Sequence, residues 1–244
     1  MPVHMAFSSL SHIALVLVLL IIVMVICIKT GKLSIPASLA AGLTGLLVYA
    51  GAGYTGLGLL GVFFILGTLA TSHRKDLKAK IHPDSVHPET RKAGQVFANG
   101  GMAALLAIPM IIDPAHATLY GMMMAASLAS ATADTLSSEL GMVYGRNFYN
   151  ILSFKKEPKG LDGVVSIEGT LIGAAGAFII AAAYSLSTGF DKRFVIILLA
   201  GVIGNLADSV LGASLERKHY INNDVVNFLN TFFAAVIALL LYLL

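Results

Sequence analysis

Ser11-His12-Ile13-Ala14-Leu15-Val16-Leu17-Val18-Leu19-Leu20-Ile21-Ile22-Val23-Met24-Val25-Ile26-Cys27-Ile28-Lys29-Thr30-Gly31-Lys32 is an almost unbroken hydrocarbon run closed by two lysines. A bilayer core about 30 Å thick needs roughly 20 mostly apolar residues per helical crossing, and this run meets that length. A secretory signal carries its positive charge before the apolar segment, whereas Lys29 and Lys32 come after it. The segment therefore reads as a retained anchor helix with its C-terminal end in the cytoplasm. Cys27 is the single cysteine. It sits inside this helix, where it reads as a small apolar packing residue and excludes an intrachain disulfide.

The rest of the chain continues the pattern. Hydrophobic residues make up 57% of 244 positions and charged residues 12%, a balance outside that of soluble domains. Apolar stretches recur at about 11–28, 35–50, 56–70, 93–112, 116–140, 164–184, 194–211 and 225–244. The sequence thus predicts an all-α polytopic membrane bundle of about eight helices. The second and third stretches are short and glycine-rich. Eight crossings place Lys29, Lys32, Arg74, Lys75, Lys78, Lys80, Arg91, Lys92, Arg146, Lys155, Lys156, Lys159, Arg217 and Lys218 on one side, and leave only Lys192 and Arg193 opposite. Because cationic loops are retained in the cytoplasm, the N- and C-termini are expected outside. The formal charge of +3 follows from loops facing anionic lipid and calls for no nucleic acid. Residues 1–244 read as one integral membrane domain, with three peripheral spans over 1–70 and the functional part over 71–244.

Polar residues inside the later spans cluster near the cationic side. The fourth span enters with Gln95 and Asn99 one turn apart; the fifth leaves through Asp134, Ser137, Ser138 and Glu139. The sixth enters through Ser166 and Glu168, the seventh leaves through Asn205 and Asp208, and the eighth begins Asn222-Asn223-Asp224 with Asn227 and Asn230 following. Carboxylates in hydrocarbon are costly and normally face a protein interior or water, so these are functional candidates by default. Asp134 and Glu139 lie about 140° apart on an ideal helix and cannot both point at one small site. Interhelical hydrogen bonding is the plainer role for any one of these acids, and N-capping is the plainer role for Asn223 or Asp224. Gly100, Gly101, Gly201, Gly204 and Gly212 are expected to let helices approach closely. Asp208 shares a face with Asn205 and Gly212.

Two inner loops are long and basic. They either lie against anionic lipid or clamp phosphates while carboxylates hold a bridging divalent cation. His73, His82 and His87 lack a compact metal spacing and read as loop residues. No Gly-rich loop ending in Gly-Lys-Ser/Thr and no Gly-x-Ser-x-Gly elbow is present, which argues against P-loop and hydrolase chemistry. A basic clamp, acids suited to Mg²⁺ and an apolar bundle fit a substrate with a phosphate head and a lipid tail.

At Gln95-Val96-Phe97-Ala98-Asn99-Gly100-Gly101, at 131–141, at 163–170, at 204–213 and at Asn223-Asp224-Val225-Val226-Asn227, the chain resembles domain-of-unknown-function family 92. That family includes the animal transmembrane protein 19 and the plant phytyl-phosphate kinase. The resemblance runs from about Gly67 to the C-terminus. It implies a phosphotransferase moving the terminal phosphoryl group of a nucleoside triphosphate, CTP among the candidates, onto an isoprenoid monophosphate such as phytyl phosphate at the cytoplasmic face. It further implies Mg²⁺ held by Asp134, Asp208 and Asp224, with Glu139 a further catalytic candidate. Arg74, Lys75, Arg91, Lys92 and Lys159 would grip phosphates, while Gln95, Asn99, Ser166, Asn205, Asn223 and Asn227 would orient them. The family often has a Gly-Gly pair before the Val-Ser of the sixth span, whereas here Gly163-Val164-Val165-Ser166 follows Asp162, itself a candidate helix cap. The competing reading is a lipid-phosphate or small-molecule transporter, which would place its substrate near the midplane at broken helices.

Overall fold

The computed structural model describes residues 10–81 and 90–244, so the expectation for His82 and His87 lies outside the described residues. The elements are α1 (Leu10–Lys29), α2 (Ile35–Ser72), α3 (Lys75–Ile81), α4 (Ala93–Ile112), α5 (Ala117–Tyr144), β1 (Tyr149–Asn150), β2 (Val164–Val165), α6 (Ile167–Thr188), α7 (Lys192–Leu211) and α8 (Asn223–Leu243). The fold is an all-α membrane bundle, with antiparallel β1 and β2 pairing Tyr149 with Val165 and Asn150 with Val164. Among the described residues, six helices are long and apolar enough to cross a membrane: α1, α2, α4, α6, α7 with the turn after it, and α8.

Helix α2 covers two of the expected segments. At Gly53 the backbone takes φ 59° and ψ −149°, a combination open essentially to glycine alone, and the helix breaks there. Its halves fold back on each other. Lys32 Nζ, just before α2, donates to Ser72 Oγ at its far end at 2.9 Å, and the Tyr49 and Tyr54 rings meet edge to face at 5.2 Å beside the break. Glycine-rich sequence serves both the turn and the close packing of the two arms.

Helix α5 is the hub, packing against α2, α4, α6, α7 and α8. Every residue from Gly121 to Ala133 is buried. Protein surrounds this stretch, so it tolerates Ser127, Ser130 and Thr132 among apolar helices. Small residues make the approach possible: a Cβ at Gly173 would press on the Ala133 carbonyl, and one at Gly204 would collide with Ser130. Gly201 likewise meets Ala129, which bears out packing roles for Gly201 and Gly204. By contrast α1 packs chiefly on α2 and leaves Leu15, Val18 and Ile22 exposed, as a lipid-facing anchor should. Cys27 is buried with Leu33 and Ala37. Val48, Leu59 and Phe63 of α2 belong to the main core.

The cationic connections meet at one end of the bundle. Arg91 N donates to the Lys32 carbonyl, His73 Nε2 hydrogen-bonds Tyr144 Oη at 2.8 Å, and Arg217 Nη2 lies 2.7 Å from Glu157. The connections 113–116 and 189–191 and the end of α8 lie at the other, where Lys192 sits 4.7 Å from the Tyr242 ring.

Candidate active site

A cavity of about 360 Å³ opens at the cationic end, where α2, α3, α4, α5, α6, α7 and α8 all contribute to its wall. One side is acidic and amide-rich. Asp134 of α5 and Asp208 of α7 lie next to each other on it, and both are reached by Asn227 of α8. With its amide turned to satisfy the network, the Asn227 nitrogen lies 3.2 Å from Asp134 Oδ2 and 3.3 Å from Asp208 Oδ2. Asn230 Nδ2, one turn deeper, donates to Asp208 Oδ2 at 2.8 Å, and its own carbonyl accepts from Ser130 at 3.0 Å. Asn205 Oδ1 accepts from Ser137 at 3.0 Å. Three helices thus hold two carboxylates side by side in one wall of the cavity. Two anions so placed repel unless a proton or a cation lies between them.

The other side is basic. Arg91, Lys75 and Lys78 line it. Arg91 lies 6.0 and 5.9 Å from the ring centres of Phe63 and Phe64, in space that exists because residue 67 is glycine. Burial pushes its guanidinium down from the ordinary arginine value, against the opposing pull of Glu139. Lys78 is a tether: its ammonium donates to the Ala70 and Thr71 carbonyls at the end of α2 and pairs with Glu139. Glu139 therefore serves the basic side while Asp134 serves the acidic one, as their separation around α5 requires.

Most residues read from sequence converge here: Asp134, Glu139, Lys75, Arg91, Gln95, Asn99, Ser166, Asn205, Asp208, Asn223 and Asn227 all line the cavity. Several carry local duties too. Gln95 Oε1 accepts from Lys92 N and closes the start of α4, while Ser166 Oγ accepts from Gly169 N and caps α6. Asn99 Oδ1 is buried without a hydrogen-bond partner, an acceptor left over beside the cavity.

Four expected residues are not part of the lining. Arg74, at φ 45°, turns toward the Tyr144 ring 5.8 Å away. Lys92 stands exposed ahead of α4, and Lys159 precedes the glycine at which the loop turns into the cavity wall. Asp224 lies against Gly94 of α4, and among the described residues no three of His, Cys, Asp and Glu gather as a metal cluster. The cap of α8 is Asn222, whose side chain accepts from Val225 N, so neither Asn223 nor Asp224 fills that role. Nor is Asp162 the cap of α6, which is Ser166; Asp162 lines the cavity, and Val164 pairs with Asn150 in β2. Glu168 receives Arg146 N at 3.4 Å at the start of α6, away from the lining.

Sequence reasoning missed Glu216. Eight residues after Asp208, it would stand about 80° away on a regular helix. A turn of π-helix over Gly212–Glu216 takes up that excess and brings Glu216 onto the cavity with Asp208 and Asp162. Lys78 was also missed as a lining residue, although its position three after Lys75 on one short helix was a usable signal.

Residues 18–235 match the family of integral membrane proteins designated DUF92. The chain belongs to that family. The DUF92 match begins well before Gly67, the start expected from the sequence resemblance, so the early spans are part of it. An uncharacterized membrane protein of Methanocaldococcus jannaschii is 35% identical over 226 residues, covering 92% of each chain. The chloroplastic protein VTE6 of Arabidopsis thaliana is 32% identical over 209 residues, covering 83% of this chain and 63% of its own. An uncharacterized membrane protein of Synechocystis is 30% identical over 202 residues, 82% of this chain and 78% of that one. No solved structure matches this DUF92 chain. It is an integral membrane protein with several apolar helices.

Proposed function

We propose that this DUF92 protein is an isoprenoid monophosphate kinase that transfers a phosphoryl group from a nucleoside triphosphate to a prenyl phosphate at the cytoplasmic membrane face. Eight crossings with both termini outside complete the reading: the arms of α2 count as two, and α5 crosses shielded by its neighbours. The observation that carries it is the cavity itself, with Asp134 and Asp208 on one side and Arg91, Lys75 and Lys78 on the other, at the end where the cationic loops meet. The kinship with VTE6 supports the same chemistry, and phytyl phosphate is the acceptor to try first.

The donor set fits Mg²⁺. That ion takes one or two carboxylates and completes its shell with water and phosphate oxygens, which two neighbouring aspartates provide without a third acid. Asp134 and Asp208 would hold it, and Asp224 would not. When bound, the ion would neutralise charge on the phosphate oxygens. Arg91 and Lys75 hold phosphates on the basic side, and Asn205, Asn223 and Asn227 offer amides for orientation. An oxygen of the acceptor monophosphate attacks the terminal phosphorus of the donor. That P–O bond forms as the bond to the bridging oxygen of the leaving nucleoside diphosphate breaks. The acceptor is already an anion, so no strong base is needed, and positioning with charge neutralisation is the main requirement.

Purified protein in vesicles, given phytyl or geranylgeranyl phosphate, Mg²⁺ and each nucleoside triphosphate in turn, is expected to form the isoprenoid diphosphate. No product with any donor, together with uptake of the phosphate into sealed vesicles, would replace this reading with transport. The position of the cavity at one end rather than the midplane favours the kinase.

A further inference from the structure

The connection between β1 and β2 displays an apolar tip. Phe154 is 80% exposed, the most exposed aromatic side chain among the described residues, and Leu152 beside it is 49% exposed. Lys155 and Lys156 follow directly. Phe154 also takes φ 54°, a left-handed conformation uncommon for a bulky residue. The tip is tied firmly despite its exposure. Asn150 Oδ1 accepts from Leu152 N and Ser153 N at 2.9 and 3.1 Å, and the Phe154 amide donates to the Asn150 carbonyl at 2.9 Å. Asn150 Nδ2 reaches Glu157 Oε1 at 3.1 Å, and Glu157 in turn faces Arg217. A rigid turn holding an aromatic ring outward, flanked by an aliphatic side chain and two ammonium groups, has the composition of an element at the edge of a bilayer. Aromatic rings favour the headgroup level, and cationic side chains there attract anionic lipid.

We propose that residues 151–156 form an interfacial anchor, with Phe154 and Leu152 entering the headgroup–acyl boundary at the cationic end and Lys155 and Lys156 facing anionic headgroups. The partner is the bilayer surface that the protein itself spans. The same connection continues into Gly160–Ser166 of the cavity wall, so the anchor fixes the height of that wall against the lipid. This inference does not depend on the reaction proposed above.

The chain has no tryptophan, so Phe154→Trp creates a single fluorescent reporter at an exposed position that tolerates an aromatic ring. The variant is reconstituted in vesicles of phosphatidylcholine alone and of phosphatidylcholine with phosphatidylglycerol. Expected are blue-shifted emission, quenching by lipids brominated near the top of the acyl chain, and stronger quenching when phosphatidylglycerol is present. Adding Lys155→Gln and Lys156→Gln should remove that dependence on the anionic lipid. Red emission quenched by aqueous iodide but not by brominated lipid overturns the proposal and leaves the tip to a soluble protein partner. Quenching that ignores lipid charge and survives both lysine substitutions overturns the role of the ammonium groups.

Discussion

The two ends of the bundle handle charge in different ways. At the end holding Asp113 and Asp191, each acid pairs with a near neighbour: Asp113 with His116 at 2.7 Å, and Asp191 with the side chain and backbone of Arg193. Such pairs are turn and cap chemistry, formed within a few residues of chain. At the cationic end the partners come from afar, as in Lys78 with Glu139, Ser137 with Asn205, and Ser130 with Asn230. Long-range polar pairing inside an apolar bundle costs desolvation on several helices at once. It is retained where helices must present those groups together, which is a sharper mark of a site than the number of acids in a span.

The largest predicted effect tests that contrast directly. Asp208→Asn keeps a side chain able to accept from Asn230 but removes half of the neighbouring carboxylate pair, and phosphoryl transfer should fall roughly 100-fold or more. The protein should still elute and melt as a folded bundle. Asp191→Asn at the opposite end should leave turnover unchanged. Equal loss in both variants, or in neither, erases the distinction between the ends. Product formation measured beside thermal melting separates chemistry from folding.

A smaller effect is expected on the basic side. Arg91→Lys preserves charge but loses the planar fork that grips two phosphate oxygens. It should raise KM for the phosphate substrates about 10-fold, in keeping with the loss of one charge-assisted hydrogen bond. Its kcat should change less than that of Asp208→Asn. Arg193→Lys, whose partner is two residues away, is the matching control. A kcat loss at Arg91→Lys as deep as at Asp208→Asn would move Arg91 from phosphate binding into the charge changes of the reaction.

The same contrast explains what was legible in the sequence. Asp134 and Asp208 stand in apolar helices, so their cost in lipid announces them, and helix alternation places their ends together. The bundle and the gathering of cations follow from the same apolar and basic rhythm. Residues 116–140 read as an apolar stretch, yet the α5 they form is not among the six helices long and apolar enough to cross, its polar residues being buried against neighbouring helices. Glu216 was hidden because the widened turn at Gly212–Glu216 has no marker in residue spacing. Arg74 stands outside the lining for a related reason: its left-handed backbone turns the side chain away from the direction a regular element would give. Sequence spacing fixes which end a residue reaches, but local backbone geometry decides which wall it faces.

The smallest predicted effect compares two ion pairs outside the spans, one of each kind. The Arg217 guanidinium holds Glu157 below the usual carboxylate range, and the Arg193 hydrogen bonds do the same for Asp191. In each case the folded protein binds its proton less readily than the unfolded chain. The stabilising contribution is therefore complete above the unfolded value near 4, and is lost as pH falls through the lower folded value. Both acids are solvent-screened, so lowering pH from about 6 to about 3 should shift the melting point only modestly through either one. The readouts differ nonetheless. Glu157→Gln should reduce this acid sensitivity and also loosen the connection carrying Gly160–Ser166, seen as faster amide exchange along that wall of the cavity. Asp191→Asn should reduce the acid sensitivity while leaving exchange at the cavity untouched, because a pair closed within two residues holds only its own turn.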